Sequence, residues 1–335
     1  MKSVAVVILN WNGREFLERF LGKVVERSGV EGFETQVVVA DNGSDDDSAD
    51  FVARNFPAVQ LIALDDNYGF TGGYNRALAA VAADYYVLLN SDIEVASGWL
   101  APLVELMEGD PAIAAVQPKV KSFADREYFE YAGASGGFID MLGYPFCRGR
   151  MIGAGEKDTG QYDDTREIFW ATGAAMAVRA DLYHSTGGLD DRFFAHMEEI
   201  DLCWRMKRRG YRIMAAPASV VYHIGGGTLP AWSPHKTYLN FRNNIAMLYK
   251  NLPAWRFALV LAVRIATDFA RILTYLVRLK FRFVAAIFRG HRDFWRMRRK
   301  LERNPEWGFG PVGRIYRGSI VLRWLSGGKR FGHLM

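Results

Sequence analysis

Apolar residues follow two rhythms along this chain. Short, nearly unbroken apolar runs occupy residues 4–9, 36–40, 59–64 and 86–89, as in strands buried on both faces. Stretches with helical spacing follow them at 14–27, 46–54, 73–83 and 99–108. In the third, Ala77, Leu78, Val81 and Ala82 make one apolar face. Gly109-Asp110-Pro111 closes the fourth. Strands alternating with helices, without an internal repeat, predict an α/β fold with a mostly parallel, Rossmann-like central sheet flanked by helices. The pattern weakens over 116–165, where 133–137 and 148–155 read as loops around a short hairpin. Apolar character returns at 167–178. A helix is expected at 200–209, ended by Gly210, then strands at 211–214 and 219–222, a turn at Gly225-Gly226-Gly227 and a helix at 234–250. Pro253 marks a boundary between a catalytic α/β domain, 1–252, and a basic amphipathic helical extension, 253–335.

In the extension, residues 255–288 read as one amphipathic helix. Arg264, Asp268, Arg271, Tyr275, Arg278, Arg282 and Arg289 recur at helical spacing and form a polar stripe. Leu261, Ile265, Phe269, Ile272, Leu276, Leu279, Phe283 and Ala286 lie opposite. A spanning helix needs about 20 apolar residues, and each central Arg or Asp would cost roughly 3 kcal/mol. A helix lying in the interface lets its charges reach the headgroups. Residues 289–303 add seven Arg or Lys against Asp293 and Glu302, which favours an anionic membrane surface. Packing against the catalytic domain, or against a second copy in a homo-oligomer, is the other way to cover the apolar face. No recognition module for nucleic acid accompanies the arginines, so nucleic acid is not an expected partner.

The chain has 335 residues, half of them apolar, with a net charge of +5, enough for a substantial core. Its two cysteines, Cys147 and Cys203, are far apart, which excludes a disulfide scaffold or a zinc cluster and fits a reducing, cytoplasmic compartment. The opening MKSVAVVILNWNG is too short in its apolar run for a signal peptide and reads as the first strand.

Chemistry is concentrated where the strands end, which is where open α/β sheets bind ligands. Asn10, Asn12 and Gly13 end the first strand and could receive a base and ribose. Asp41 and Asn42, before Gly43, end the second; the Asp41 carboxylate can accept an N–H from a uracil-like ring. Ser44 or Asp45 could instead cap the next helix. Gly69, Gly72 and Gly73 would let backbone N–H groups approach an anion at a helix start, with Asn75 and Arg76 orienting ribose or phosphate. Asn90, Ser91 and Asp92 end the fourth strand. A diphosphate leaving group needs positive charge, which Mg2+ or Mn2+ on Asp92 would supply, and His223 could complete the ion's shell. Glu198, Glu199 and Asp201 crowd the start of a helix, and one of them could deprotonate an acceptor hydroxyl. Trp170 and Gly173 could form a platform for an acceptor sugar.

These patches, in this order, resemble the family 2 inverting glycosyltransferases of GT-A fold, in particular the bacterial rhamnosyltransferase-like branch. The resemblance runs from about residue 4 to 253. It implies that Asn10 to Gly13 hold the nucleotide, that Asp41 binds the base and that the loop Gly69 to Asn75 closes on it. It implies a metal motif at Asn90-Ser91-Asp92 in which only Asp92 is acidic. Glu198-Glu199-Ile200-Asp201 stands for the family's Glu-Asp-x-Asp, with the base at Glu198 or Glu199 and Asp201 as support; Arg242 to Asn244 match the following helix. The implied donors are dTDP-rhamnose, UDP-hexose or UDP-N-acetylhexosamine. The implied acceptor is a glycan or polyprenyl-linked glycan, and the implied location is peripheral, on the inner face of a bacterial cell membrane. A nucleotidyltransferase and a nonenzymatic scaffold of the same fold are the competing readings.

Overall fold

The computed structural model describes residues 1–153, 155–226, 233–303 and 313–334. The chain opens β1 (Lys2–Asn10), α1 (Arg14–Arg27), β2 (Phe33–Asn42), α2 (Ser48–Asn55), β3 (Gln60–Leu64), α3 (Gly69–Ala79) and β4 (Tyr85–Asn90). These follow the expected pattern closely. Alternation along each strand sends successive side chains to opposite faces. Ala5, Val7, Val38 and Leu88 join one apolar layer; Val4, Val6, Val39 and Leu89 join the other. Helix α1 covers the second layer with Leu17, Leu21 and Val24.

The sheet continues through β5 (Ile93–Val95), and, after α4 (Ala101–Gly109), through β6 (Ile113–Ser122). The weakly patterned stretch then forms a separate hairpin of β7 (Gly137–Asp140) and β8 (Pro145–Cys147), and β9 (Arg166–Ile168) follows. Next come β10 (Ala175–Arg179), α5 (Ala180–Ser185), α6 (Glu198–Arg208), β11 (Arg212–His223) and α7 (Pro234–Asn251). The sheet order is β3-β2-β1-β4-β10-β6-β11-β5, with β9 also on β11. It is mixed rather than mostly parallel. The excursion from 123 to 174 returns the chain from the opposite end, so β10 enters antiparallel to both β4 and β6. The two predicted strands at 211–222 are one, β11, with a register shift between Ala216 and Val220.

The extension departs from the single helix expected. It folds as α8 (Ala254–Val277) and α9 (Phe281–Met297), broken at Leu279, whose φ is +53°. Only the first part of its polar stripe, with Tyr275, faces inward; Arg271, Arg278, Arg282 and Arg289 are exposed. Arg264 and Asp268 are each 4 % exposed, whereas Leu259 and Phe269 are 63 % and 58 % exposed. Arg264 stacks 3.8 Å over the Tyr144 ring, and His291 of α9 meets Asp268 at 2.9 Å. The tail beyond residue 313 returns to the catalytic part through β12 (Ile315–Tyr316), which pairs with β7, and a short helix α10 (Ile320–Leu325). Phe257, Phe294, Ile320 and Phe331 share one core with the sheet. Among the described residues, no helix is long and apolar enough to cross a membrane.

Candidate active site

The carboxyl ends of β1, β2 and β4 open on a cavity of about 430 Å³. It is lined, among others, by Trp11, Asn42, Gly69, Asn90, Ser91, Asp92, Gly173, Glu198, Glu199, His223 and Lys236. Residues far apart in sequence meet here because of strand register. Strand β5 runs antiparallel to β11 and sets His223 opposite Ile93. That puts His223 Nε2 3.1 Å from Asp92 Oδ1. Behind it, the Glu130 carboxylate lies 3.3 Å from His223 Nδ1. Glu130 is itself held by the backbone N–H of Ala132.

The electrostatics follow from burial and these neighbours. Burial opposes the charged imidazole, but the Asp92 and Glu130 carboxylates outweigh it and push His223 up to about 10. Burial would raise Asp92 too; the His223 charge and hydrogen bond hold it below the ordinary range. A buried carboxylate oxygen and imidazole nitrogen at this separation suit neighbouring ligands on an octahedral ion with bonds of about 2.1 Å. Asp92 could thus hold Mn2+ or Mg2+, joined by His223 Nε2 once the ion displaces its proton; no third His, Cys, Asp or Glu joins them among the described residues, so the other positions would fall to diphosphate oxygens and water. Glu130, on the far ring nitrogen, would orient the imidazole.

The acidic cluster divides in two. Burial pushes Glu198 well above the usual carboxylate range, and Glu199 beside it adds to the shift. Burial pushes Glu199 up to about 7. The Oε2 atoms of both lack partners among the described residues. Asp201 is different. It is fully buried away from the cavity, accepting from Arg205 Nε at 2.9 Å, Lys250 Nζ at 2.8 Å and Asn251 Nδ2 at 2.7 Å. Burial works to raise it, but the Lys250 and Arg205 charges prevail and lower it. It braces α6 against α7 rather than facing a substrate. The segment before α6 is held in left-handed backbone at Phe194, His196 and Met197, where non-glycine residues are uncommon.

Several expected contacts resolve into packing. The backbone N–H groups of Phe70 and Thr71 donate to Phe194 O at 2.7 and 3.2 Å. This start of α3 is thus engaged by protein, not free for an anion. A Cβ at Gly69 (φ +70°) would come within 2.5 Å of the Phe194 ring, and one at Gly73 within 2.8 Å of Leu9. Gly72 is buried against Tyr68 and Arg76. Asn75 clamps the 189–191 turn, donating to Leu189 O at 2.7 Å and accepting from Tyr183 Oη at 2.7 Å. Trp170 lies beneath the hairpin, its Nε1 donating to Phe138 O at 2.9 Å, and does not line the cavity. Its neighbour Gly173 does. Asn10 is buried and donates to Asp41 Oδ1 at 3.0 Å; Asp41 also accepts from the Ser44 hydroxyl at 2.7 Å. Asn12 Oδ1 accepts from the backbone of Asp45, and Gly13 caps α1. This group supports the cavity rim from behind. Trp11, Glu130, Tyr131, Phe194, His196, His235 and Lys236 belong to the site and escaped the sequence reading. Only Trp11 carried a signal, through its place inside NWNG.

Comparison with known proteins bears on this geometry. The family model described as glycosyl transferase family 2 matches residues 5–182. The chain belongs to glycosyl transferase family 2. It therefore transfers a sugar from a nucleoside-diphosphate sugar to an acceptor. A relative from Mycobacterium tuberculosis, N-acetylglucosaminyl-diphospho-decaprenol L-rhamnosyltransferase, is 25 % identical over 239 residues, covering 65 % of this chain and 75 % of its own. Two solved structures share the GT-A fold. GalNAc-T7 with UDP, GalNAc and Mn2+ superposes with a TM-score of 0.60 at 17 % identity, over 75 % of this chain but 48 % of its own. The Pyrobaculum calidifontis mannosyltransferase with GDP-Man and Mn2+ does so at 0.54 and 16 %, over 87 % and 86 %.

Proposed function

We propose that this glycosyltransferase is an inverting, metal-assisted enzyme of cell-surface polysaccharide synthesis. Its donor is of the dTDP-rhamnose or UDP-hexose type, and its acceptor is a hydroxyl of a glycan or polyprenyl-linked glycan. One observation carries the reading: a single cavity presents the Asp92–His223 pair and, separately, Glu198 and Glu199, each with one carboxylate oxygen, Oε2, that has no hydrogen-bond partner among the described residues. When bound by Asp92 and His223, Mn2+ or Mg2+ would neutralise charge on the departing diphosphate. Glu199 is the better base of the two. Glu198 is only 4 % exposed and burial, with Glu199 beside it, raises it well above the usual carboxylate range, whereas Glu199 is half-buried and is pushed up to about 7. Glu199 takes the acceptor hydroxyl proton, the oxygen bonds to the anomeric carbon, and the bond from that carbon to the diphosphate breaks on the opposite face. Trp11 and Asn42 flank the nucleotide; Gly173 leaves room for the acceptor. The name of the M. tuberculosis relative supports a lipid-diphosphate acceptor.

The outward face of α8 and α9 supports attachment to the inner face of an anionic membrane. Trp255, Leu259, Phe269, Leu273 and Phe288 stand exposed there, beside exposed Arg278, Arg282 and Arg289.

The deciding experiment measures release of nucleoside diphosphate from a panel of sugar nucleotides, with Mn2+, Mg2+ or chelator and a polyprenyl-linked acceptor. Turnover of one donor, lost with chelator and with Asp92→Ala, is expected. Full turnover by D92A with metal present overturns the metal assignment. No turnover of any donor by the wild type counts against the donor class.

A further inference from the structure

We propose that the ammonium of Lys236 is a phosphate-binding group of the cavity and takes an oxygen of a diphosphate ester. The inference rests on the glycosyltransferase reading for its ligand class and assigns a new residue to that ligand.

Lys236 sits in the first turn of α7 and is buried against the cavity it lines. Its Nζ meets the Tyr131 hydroxyl and stands 4.9 Å from the centroid of that ring. Among the described residues, no carboxylate lies within 4.0 Å of it. The adjoining stretch 227–232, Gly-Thr-Leu-Pro-Ala-Trp, contains no acidic residue. The other buried lysines behave differently. Lys250 is paired with Asp190 and Asp201, Lys119 with Asp158, and Lys207 with Glu167. A buried cation is costly unless an anion accompanies it. Lys236 is the buried lysine that faces the cavity, where an anion can arrive with the substrate.

Its position fits a diphosphate. Tyr131 directly follows Glu130, which backs His223 on the side of the metal pair. On its other flank, burial and then the Lys236 charge hold the His196 imidazole down to about 3, and His196 precedes the Glu198-Glu199 pair by two residues. Lys236 therefore lines the same cavity as the place of the leaving group and the base. A line of groups also continues outward from it. His235 neighbours the Tyr238 ring at 6.0 Å, and Arg289 of α9 covers that ring at 4.2 Å. The ester oxygen could thus belong to the nucleotide or to a lipid-diphosphate acceptor entering along α9.

Binding to full-length Lys236→Met, Lys236→Gln and Lys236→Arg, measured by calorimetry, separates these sources. One arm compares UDP and dTDP with uridine and thymidine, in Mn2+. The other compares farnesyl diphosphate with farnesol in detergent micelles, without nucleotide. Thermal melting identifies which variants are folded, and binding is read on those. The expected result is a loss of about tenfold or more for a diphosphate in K236M and K236Q. Arginine should retain most affinity, and uridine, thymidine and farnesol should bind as before. Loss in the first arm assigns the donor diphosphate; loss in the second assigns the acceptor. Unchanged affinity for both diphosphates in a folded variant overturns the proposal alone. Equal loss for the phosphate-free ligands does so too, since it would mark a change of cavity shape. A wild-type enzyme that binds no diphosphate in either arm removes the functional reading as well.

Discussion

At the scale of single residues, the site works by setting equal chemical groups to different tasks. Glu198 and Glu199 are neighbours, yet burial raises the first well above the usual carboxylate range and pushes the second up to about 7. A base must be ionised to accept a proton. With Glu199 raised to about 7, kcat/KM should climb as pH rises through that value and then level off. Glu199→Gln should lower turnover by roughly 10²–10⁴-fold and remove this limb of the profile; an unaltered limb would move the role elsewhere. Glu130 should matter through His223. Glu130→Gln should weaken Mn2+ binding, read by electron paramagnetic resonance of the ion, by about 10–100-fold. Legibility at this scale tracked local pattern. Asp92 and the Glu198-Glu199 pair sit at abrupt ends of apolar runs or starts of helices, so sequence exposes them. Glu130 lies where periodicity fades, and its meaning arises only from contact with a histidine 93 positions later. Trp170 misled for the converse reason: an indole reads the same whether it faces a sugar or, as here, fills space under a hairpin.

At the scale of elements, α6 and α8 show how a charge pattern can be right and its direction wrong. The stripe on α8 is real, but composition alone does not say which side of an amphipathic helix meets protein. Here Arg264 and Asp268 find the Tyr144 ring and His291 and turn inward with Ile272 and Tyr275, while Leu259, Ile265 and Phe269 face outward and Arg271 stays at the surface. Replacing Leu259 and Phe269 by Glu should reduce co-sedimentation with phosphatidylglycerol vesicles by about tenfold or more. Turnover of a water-soluble acceptor should stay unchanged. Equal co-sedimentation would exclude this face as the attachment surface. On α6, Asp201 holds Arg205, Lys250 and Asn251 together. Asp201→Ala leaves buried Arg205 without its carboxylate and Lys250 with Asp190 alone, and should cost roughly 3–5 kcal/mol of stability in urea unfolding. Because its folded pKa is depressed, the wild-type contribution is present above the unfolded value of about 3.9 and fades as pH falls through the folded one. The wild type should therefore lose its advantage over D201A in acid.

At the scale of the whole molecule, the first ninety residues were readable because each strand and helix forms from neighbouring sequence. The mixed sheet was not, since β10 acquires its direction from an excursion of some fifty residues. Nor was the return of the tail. Phe331 is 2 % exposed among Phe138, Phe146 and Tyr162. Phe331→Ala should therefore destabilise the catalytic part itself, by roughly 3–5 kcal/mol in urea unfolding; a variant as stable as wild type would show the tail to be dispensable to the core. This continuity has a mechanical consequence. Helix α7 begins at the cavity, and Gly290 lets α9 lie close against its residues Tyr238 to Arg242. An enzyme standing on lipid through α8 and α9 would hold its reaction centre at one fixed height above the bilayer, like a gauge.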